Sequence, residues 1–537
     1  MIPPLLDKYI SQVIDEEKTP GLAIAVTDAK KDIWAKNYGF ADLQSENEVQ
    51  ASTKFQIGSI TKTFTALAIL QEIEAGRLNF HAPITDFLPW LTIKSRFGPI
   101  TIHHLLTHTA GLPQGRYDIP DSKYLVAWLK EYEMRVPPGS MYWNSDLGYQ
   151  ILSFLLEETT GEKYGKLIQQ RILDPLEMLS TESIISHDVQ TRTATGYRFL
   201  YDDRQRCSQY PLIQAPWIEY RIGDGSIIST ATDMAKFLRM LMNQGKGPHG
   251  RIIAEDTFNR MIQRHVERWE DSYYGYGIYN KMLGGNPVIG HGGDMLGYLS
   301  MMLADLNLLK GVVVLMNGPG GPNSIAEYVL EYYRCKTSGA ALPELPKHVV
   351  TTIVEEADAF AGIYNGPNGS LEILAKGNRL YVKEEQAEFL LEQRYQDVFV
   401  VSQGPLSCFS LEFTRNRKGK IIEAHYGPNW YVRGLPAEMA EPDTPEEWEW
   451  YIGHYRSQNP WLPSIRIIVR KGKLLAVFPG NVDSESYEAT LIQIDYATFS
   501  IGEEIPSPEY IKFDTIVSGS TLRLTYTGNV YYRAVTD

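Results

Sequence analysis

A serine and a lysine three positions apart, Ser59-Ile60-Thr61-Lys62, form the only Ser-x-x-Lys of the chain, within the apolar run from Phe55 to Leu70. On a helix turning about 100° per residue, that spacing puts both side chains on nearly one face, one turn apart. The amine then reaches the hydroxyl, and the pair can act as base and nucleophile. A helix beginning at Gly58 or Ser59 would also offer unpaired backbone N–H groups and the positive end of its dipole where negative charge develops during attack on a carbonyl. A lysine takes a proton only as the neutral amine, against an ordinary pKa of about 10.4, so burial and cationic neighbours would have to assist. A second proton carrier is available in Met141-Tyr142-Trp143-Asn144-Ser145-Asp146. Tyr142, as a phenolate beside Lys62, could take the serine proton and pass it to a leaving group. Asn144, two residues on, could hold Lys62 or a substrate amide carbonyl.

The third stretch is Gly290-His291-Gly292-Gly293-Asp294-Met295, read as standing just before a strand. Gly292 and Gly293 let a substrate lie against the backbone, and the N–H of Asp294 would form one arm of an oxyanion hole whose other arm is the N–H of Ser59. His291 is expected across the pocket from Lys62. Other patterns carry less chemistry. His104 and His108 are four apart but lack the His-Glu-x-x-His arrangement, so no metal is expected. Gly318-Pro319-Gly320-Gly321 lacks the Gly-Lys-Ser/Thr ending of a phosphate loop, and no Gly-x-Ser-x-Gly is present.

The elements that must position these residues are legible in part. Leu5, Leu6, Tyr9, Ile10, Val13 and Ile14 recur at helical spacing, and LAIAVTD and KDIWAKNYGF follow as two strands of a hairpin. The Ser59 helix should run to Gly76 with Phe64, Leu67, Leu70 and Ile73 as its buried stripe. Residues 80–215 read as mostly helical, clearest at 100–113 and 147–161; strands are expected at 226–229, 299–304 and 311–316, and a last helix at 324–334. This order favours an α+β domain with an antiparallel sheet, flanking helices and a helical insertion over a doubly wound sheet.

Residues 336–348 read as a linker, after which short strands dominate. Phe360-Ala361-Gly362-Ile363-Tyr364 and LEILAKGNRLYV parallel Tyr451-Ile452-Gly453-His454-Tyr455 and IRIIVRKGKLLAV. The closings match too, Tyr426-Gly427-Pro428-Asn429-Trp430-Tyr431-Val432-Arg433 against Tyr526-Thr527-Gly528-Asn529-Val530-Tyr531-Tyr532-Arg533. A duplicated all-β unit follows, each copy with the strand spacing of a small antiparallel barrel or sandwich, its aromatics forming the core, and 436–450 as the joint. The expected domains are 1–335, 349–440 and 441–537.

With 537 residues the chain exceeds one ordinary core. Lys plus Arg number 51 against 65 Asp plus Glu, a net charge of −14 without any long basic run, which argues against nucleic acid or an anionic membrane as partner. The start of the chain reads as an amphipathic helix rather than an export signal, no apolar run is long enough to span a bilayer, and Cys207, Cys335 and Cys408 are widely spaced and odd in number. A cytoplasmic protein with reduced thiols is expected; a homodimer stays open.

The motifs Ser59-Ile60-Thr61-Lys62, Tyr142-Trp143-Asn144 and His291-Gly292-Gly293 together resemble those of the penicillin-recognising serine enzymes, which include class C β-lactamases, D-alanyl-D-alanine carboxypeptidases, related esterases and D-aminopeptidases. Leu105-Leu106-Thr107-His108-Thr109-Ala110-Gly111-Leu112-Pro113 and Gly225-Ser226-Ile227-Ile228-Ser229-Thr230 add to the likeness, which covers about residues 1–335. The resemblance implies a β-lactamase-like domain followed by two β-barrel-like domains, as in three-domain D-aminopeptidases. It implies Ser59 as acylated nucleophile, Lys62 and Tyr142 as acid/base pair, Asn144 and His291 at the substrate, the backbone of Ser59 and Asp294 as oxyanion hole, and no cofactor. Histidine in the third motif leans away from β-lactamases. The expected activity is a peptidase or amidase on short substrates with a D-residue. The alternatives are an esterase on small acyl esters and a penicillin-binding or peptidoglycan-sensing module with little turnover.

Overall fold

The computed structural model describes residues 1–117, 121–346, 350–434, 442–480, 487–502 and 507–535. Two compact units are formed, one from Met1–Arg198 with Ile213–Leu345, the other from Phe199–Leu212 with Pro346–Asp537. Of the expected linker and joint, residues 347–348 and 436–441 lie outside the described residues.

The first unit begins with helix α1 (Pro4–Glu17), whose buried Leu6, Tyr9, Ile10 and Val13 repeat at helical spacing. A nine-stranded sheet follows the hairpin β1 (Gly21–Asp28) and β2 (Asp32–Asp42) and the short edge strand β3 (Asn47–Glu48). Its remaining strands are β4 (Val266–Trp269), β5 (Ser272–Tyr274), β6 (Tyr279–Leu283), β7 (Asn286–Met295), β8 (Tyr298–Asp305) and β9 (Lys310–Met316). The order is β4-β5-β6-β7-β8-β9-β1-β2-β3, antiparallel throughout. Every residue of β8 is buried, and so are most of β1 and β9, so the centre of the sheet is covered on both faces.

The helices that matter to the site are α2 (Thr61–Glu74), α3 (Ile102–Leu106), α4 (Asp146–Thr160), α5 (Ala231–Met242) and α6 (Pro322–Ser338). Helix α2 is buried on all sides from Thr61 to Leu70 rather than along one stripe, and Ile73 is only half-buried. Its Phe64 stacks on Phe237 of α5, centroids 4.0 Å apart. Gly76, in the left-handed region, ends it, with Gly76 N donating to Ile73 O and Arg77 N to Glu72 O.

Two further expectations change. Helix α3 is a single turn and does not run over 100–113. The Thr101 hydroxyl accepts from His104 N while His104 Nδ1 accepts from Thr101 N, and positive φ at His108 and Gly111 breaks the helix soon after. The Gly290–Met295 stretch lies inside β7, not before a strand. Two of its glycines are required by close approach, since a Cβ at Gly293 would stand 1.9 Å from Ile57 O and one at Gly290 2.2 Å from Met302 O.

The second unit holds two closed antiparallel barrels of eight strands, from Gly362–Gly366 to Asn429–Arg433 and from Gly453–Arg456 to Asn529–Arg533. The sequence repeat is an energetic repeat. Tyr364 Oη donates to Phe360 O at 2.7 Å, and Tyr455 Oη to Tyr451 O at 2.8 Å. Phe360, Phe399 and Phe413 form the aromatic centre of the first core, and Tyr451, Phe499 and Phe513 that of the second. Each barrel closes between matched first and last strands, Tyr364 opposite Arg433 and Tyr455 opposite Arg533. The 199–212 segment packs in this unit: the buried Glu392 accepts from Ser208 N, and Asp202 pairs with Arg456 at 2.8 Å. Among the described residues no helix is long and apolar enough to cross a membrane.

Candidate active site

Ser59 sits in a tight turn, Gly58–Ile60, that leads directly into α2. The turn is possible because Gly58 has φ +52°; a Cβ there would meet the backbone O, N and C of Asp294 at 2.6, 2.7 and 2.9 Å. The backbones of the Ser59 turn and of β7 are therefore in contact at Gly58 and Asp294. Ser300 Oγ donates to Ile57 O at 2.9 Å and fixes that approach.

Lys62, one turn on, is fully buried and donates to Ser59 Oγ at 2.7 Å and to Asp224 O at 3.1 Å. Its Nζ also lies 2.6 Å from Asp146 Oδ1. Asp146 is the first residue of α4, capped by Ser145, whose hydroxyl accepts from Gly148 N. The Tyr117 hydroxyl donates to Asp146 Oδ2. Burial and the Asp146 charge push the Tyr117 phenol well above its ordinary value, so it serves as a neutral donor. A line of contacts thus runs from Ser59 through Lys62 and Asp146 to Tyr117.

Behind it lies a second acid. Asp224 Oδ2 accepts from Tyr220 Oη at 2.8 Å, while its Oδ1 is buried without a hydrogen-bond partner. Burial and the neighbouring Asp146 charge raise the Asp224 pKa, with Lys62 acting in the opposite sense. The loop carrying it is tied to α2 by Thr65 Oγ1 donating to Gly223 O at 2.6 Å and by Ile227 N donating to Thr61 Oγ1 at 3.1 Å.

Tyr142 and His291 share an aromatic wall. The Tyr142 ring stands 5.7 Å from His108 and 5.6 Å from Tyr274, and its hydroxyl is hydrogen-bonded by Arg268. Burial raises its pKa and the Arg268 charge works against the rise. Among the described residues no hydrogen bond joins Tyr142 to Ser59 or Lys62, and Asn144 is exposed. His291 is buried, its Nε2 2.9 Å from Tyr274 Oη and its Nδ1 2.6 Å from Gly292 O. Burial, then the Lys62 charge, lowers its pKa to about 3, so the ring is neutral, donating from Nδ1 and accepting at Nε2. His108, also depressed by burial, accepts from Ser145 N at 3.0 Å and holds the start of α4.

The structure therefore brings Ser59, Lys62 and the backbone of Gly293 and Asp294 together, and sets Tyr142 and His291 on one neighbouring wall. Sequence reasoning passed over Asp146, Tyr117, Asp224 and Arg268. For Asp146 a signal existed: an acid directly after a serine N-cap, at the head of a strongly apolar helix pattern. No group of His, Cys, Asp and Glu among the described residues is arranged to hold a metal.

The β-lactamase family model matches residues 6–331. An unguisins hydrolase of Aspergillus violaceofuscus is 31% identical over 256 residues, 44% of this chain and 44% of that protein. A β-lactamase of Yersinia enterocolitica is 26% identical over 300 residues, 54% of this chain and 72% of that one. Among solved structures, the octameric penicillin-binding protein homologue from Pyrococcus abyssi superposes with a TM-score of 0.59 at 24% identity, covering 80% of this chain and 99% of that one. The D-amino acid amidase from Ochrobactrum anthropi SV3 superposes at 0.51 with 21% identity, over 63% and 98%. At these identities the superpositions speak to fold alone.

Proposed function

The chain belongs to the β-lactamase family, and on that premise we propose that it is a serine acyl hydrolase working through an acyl-enzyme on Ser59, with short peptides or amides containing a D-residue as substrates. The observation that carries the reading is the 2.7 Å contact between Ser59 Oγ and the buried Lys62 Nζ at the head of α2. The fold shared with a D-amino acid amidase and a D-stereospecific amidohydrolase supports the substrate class by analogy.

In this mechanism Ser59 Oγ attacks the carbonyl carbon, and the oxyanion is met by the N–H groups of Ser59 and Asp294. The proton lost from Ser59 goes to Lys62. As an ion pair, Lys62 and Asp146 carry no net charge; shifting one proton from Lys62 to Asp146 frees the amine to take the serine proton, and the pair then holds one extra positive charge. Lys62 returns a proton to the departing nitrogen as the C–N bond breaks, and the acyl-enzyme remains. Water, deprotonated by the same pair, releases the acid and restores Ser59. Tyr117 keeps Asp146 oriented, and Tyr142 with His291 forms a wall against which the substrate lies.

The test is hydrolysis of D- and L-amino acid p-nitroanilides and p-nitrophenyl esters by the full chain and by Ser59→Ala. Turnover of the D-compounds, absent in the variant, is expected. Equal turnover by the variant refutes the role of Ser59, and preference for L-amides refutes the substrate class.

A further inference from the structure

Asp224 is a buried acid that the mechanism above leaves unused. Its place is fixed from two sides, because α2 and α4 both hold the residue before it: Thr65 Oγ1 donates to Gly223 O at 2.6 Å, and Gly223 N donates to Ser153 Oγ at 2.7 Å. Gly223 leaves no room for a side chain, since a Cβ there would stand 2.4 Å from each of those hydroxyl oxygens. Lys62 Nζ donates to Asp224 O at 3.1 Å and also lies 2.6 Å from Asp146 Oδ1. One cation therefore serves two acids.

The second of these acids is short of donors. Asp224 Oδ2 accepts from Tyr220 Oη at 2.8 Å and lies 3.4 Å from Gln150 Nε2, while Oδ1 has no hydrogen-bond partner. Gln150 Oε1, on α4, is likewise buried without a partner. Two acceptors without a donor in one buried corner disfavour an ionised acid, and a proton on Asp224 turns one of them into a donor. With Lys62 and Asp146 as an ion pair, that proton also leaves the cluster without net charge. The other groups facing Asp224 are the phenols of Tyr117, Tyr164 and Tyr220, all raised by burial and therefore neutral. His108 and His291, which face Lys62, are depressed by burial and neutral as well. Asp224, whose proton is held by burial and by the Asp146 charge, is the group of this cluster left to change charge in the neutral range.

We propose that Asp224 is a positioning residue for the proton transfer: neutral, it leaves Lys62 and Asp146 balanced, and ionised, its charge draws the Ser59 proton onto that pair. The inference rests on the serine hydrolase reading above and adds a residue that acts through Lys62 and Asp146. When the Ser59 proton moves to them, the pair gains one positive charge and the substrate oxygen one negative charge. Lys62 bonds the Asp224 backbone directly, whereas the oxyanion lies beyond Ser59. An ionised Asp224 therefore attracts the nearer charge more than it repels the farther one. The transferred proton does not pass through Asp224: Ser59 Oγ loses it, Lys62 and Asp146 hold it, and the leaving group receives it.

The experiment is the pH profile of kcat/KM for p-nitrophenyl acetate, which has no ionising group, with the full chain and with the Ser59→Ala rate subtracted. The unaltered chain is expected to gain about tenfold as pH rises through the neutral range and Asp224 ionises. Asp224→Asn, fixed in the neutral form, should stay flat near the low-pH rate. Tyr220→Phe removes the hydroxyl that stabilises the ionised carboxyl. Its rising limb should move upward by about half to one pH unit, a shift that a merely structural role would not produce. That shift decides the matter alone if Asp224→Asn does not fold. A rising limb unchanged in Asp224→Asn, one that stays in place or moves downward in Tyr220→Phe, or a flat profile of the unaltered chain overturns the proposal. The hydrolase reading fails separately, through absence of Ser59-dependent turnover at every pH, and takes this inference with it.

Discussion

At the scale of single residues, the proton taken from Ser59 must have somewhere to go, and Asp146 is placed to receive what Lys62 passes on. Asp146→Asn keeps the shape and the hydrogen bond from Tyr117 but removes the acceptor. Steady-state kinetics should show kcat reduced about 100-fold or more with KM little changed, the usual size of a lost general base; unchanged kcat would remove Asp146 from the proton path. Asp224 makes a second prediction, on stability. Its native pKa is raised by burial and by Asp146, so the folded chain holds a proton that the unfolded chain gives up near pH 4, the ordinary value being about 3.9. Stability should therefore decline as pH rises from that value through the raised native one. Urea unfolding of Asp224→Asn across this range should lack that part of the decline. Ser59, Lys62 and Asp294 were legible in the sequence because their spacing carries the chemistry. Asp146 had only its place behind a serine N-cap to mark it, and Tyr117 and Arg268 had no mark at all, because only the fold carries residue 117 and β4 toward the start of α4 and no local spacing encodes that.

At the scale of elements, the site depends on two backbones approaching more closely than side chains allow. Gly58, at φ +52°, would place a Cβ 2.6 Å from Asp294 O. Gly58→Ala should cost about 1–3 kcal/mol in unfolding free energy through strain alone and should slow acylation by parting the two oxyanion donors. Stopped-flow acylation beside urea unfolding separates the two effects, and an unimpaired variant would contradict this geometry. The histidines around α3 offer a pH test. His103, His104 and His265 are each depressed, chiefly by burial, and His103, lowered to about 4, also feels the neighbouring histidine charges. Groups depressed below their unfolded values stabilise fully above pH 6.5 and lose that contribution as pH falls toward the native values. The melting temperature should drop on acidification through this window, and less so in His103→Gln. Helices α2 and α4 were readable from apolar spacing and caps. Strands β4 to β6 were not, since Val266–Trp269 alternates half-buried and exposed residues and is rich in charge, a pattern that does not declare a strand without its partners.

At the scale of the whole molecule, the chain joins a β-lactamase-like unit to a unit of two duplicated barrels, and the duplication was visible because matched openings and closings carry the same closing registers and aromatic centres. The assignment of residues 199–212 to the barrel unit was not visible, because nothing local marks a segment whose partners lie some 200 residues downstream. Glu392, buried and accepting from Ser208, makes that packing testable. Glu392→Ala should lower the stability of this unit by about 1–3 kcal/mol and open 199–212 to limited proteolysis; an unchanged cleavage pattern would contradict it. The central claim concerns what the intact chain does with its nucleophile. The most direct measurement is intact mass spectrometry of the full protein, quenched in acid while it turns over a D-amino acid p-nitrophenyl ester. A mass increase of one acyl group, mapped to the peptide containing Ser59 and absent from Ser59→Ala, is the predicted result; turnover without that adduct, or an adduct that persists in Ser59→Ala, would contradict the account.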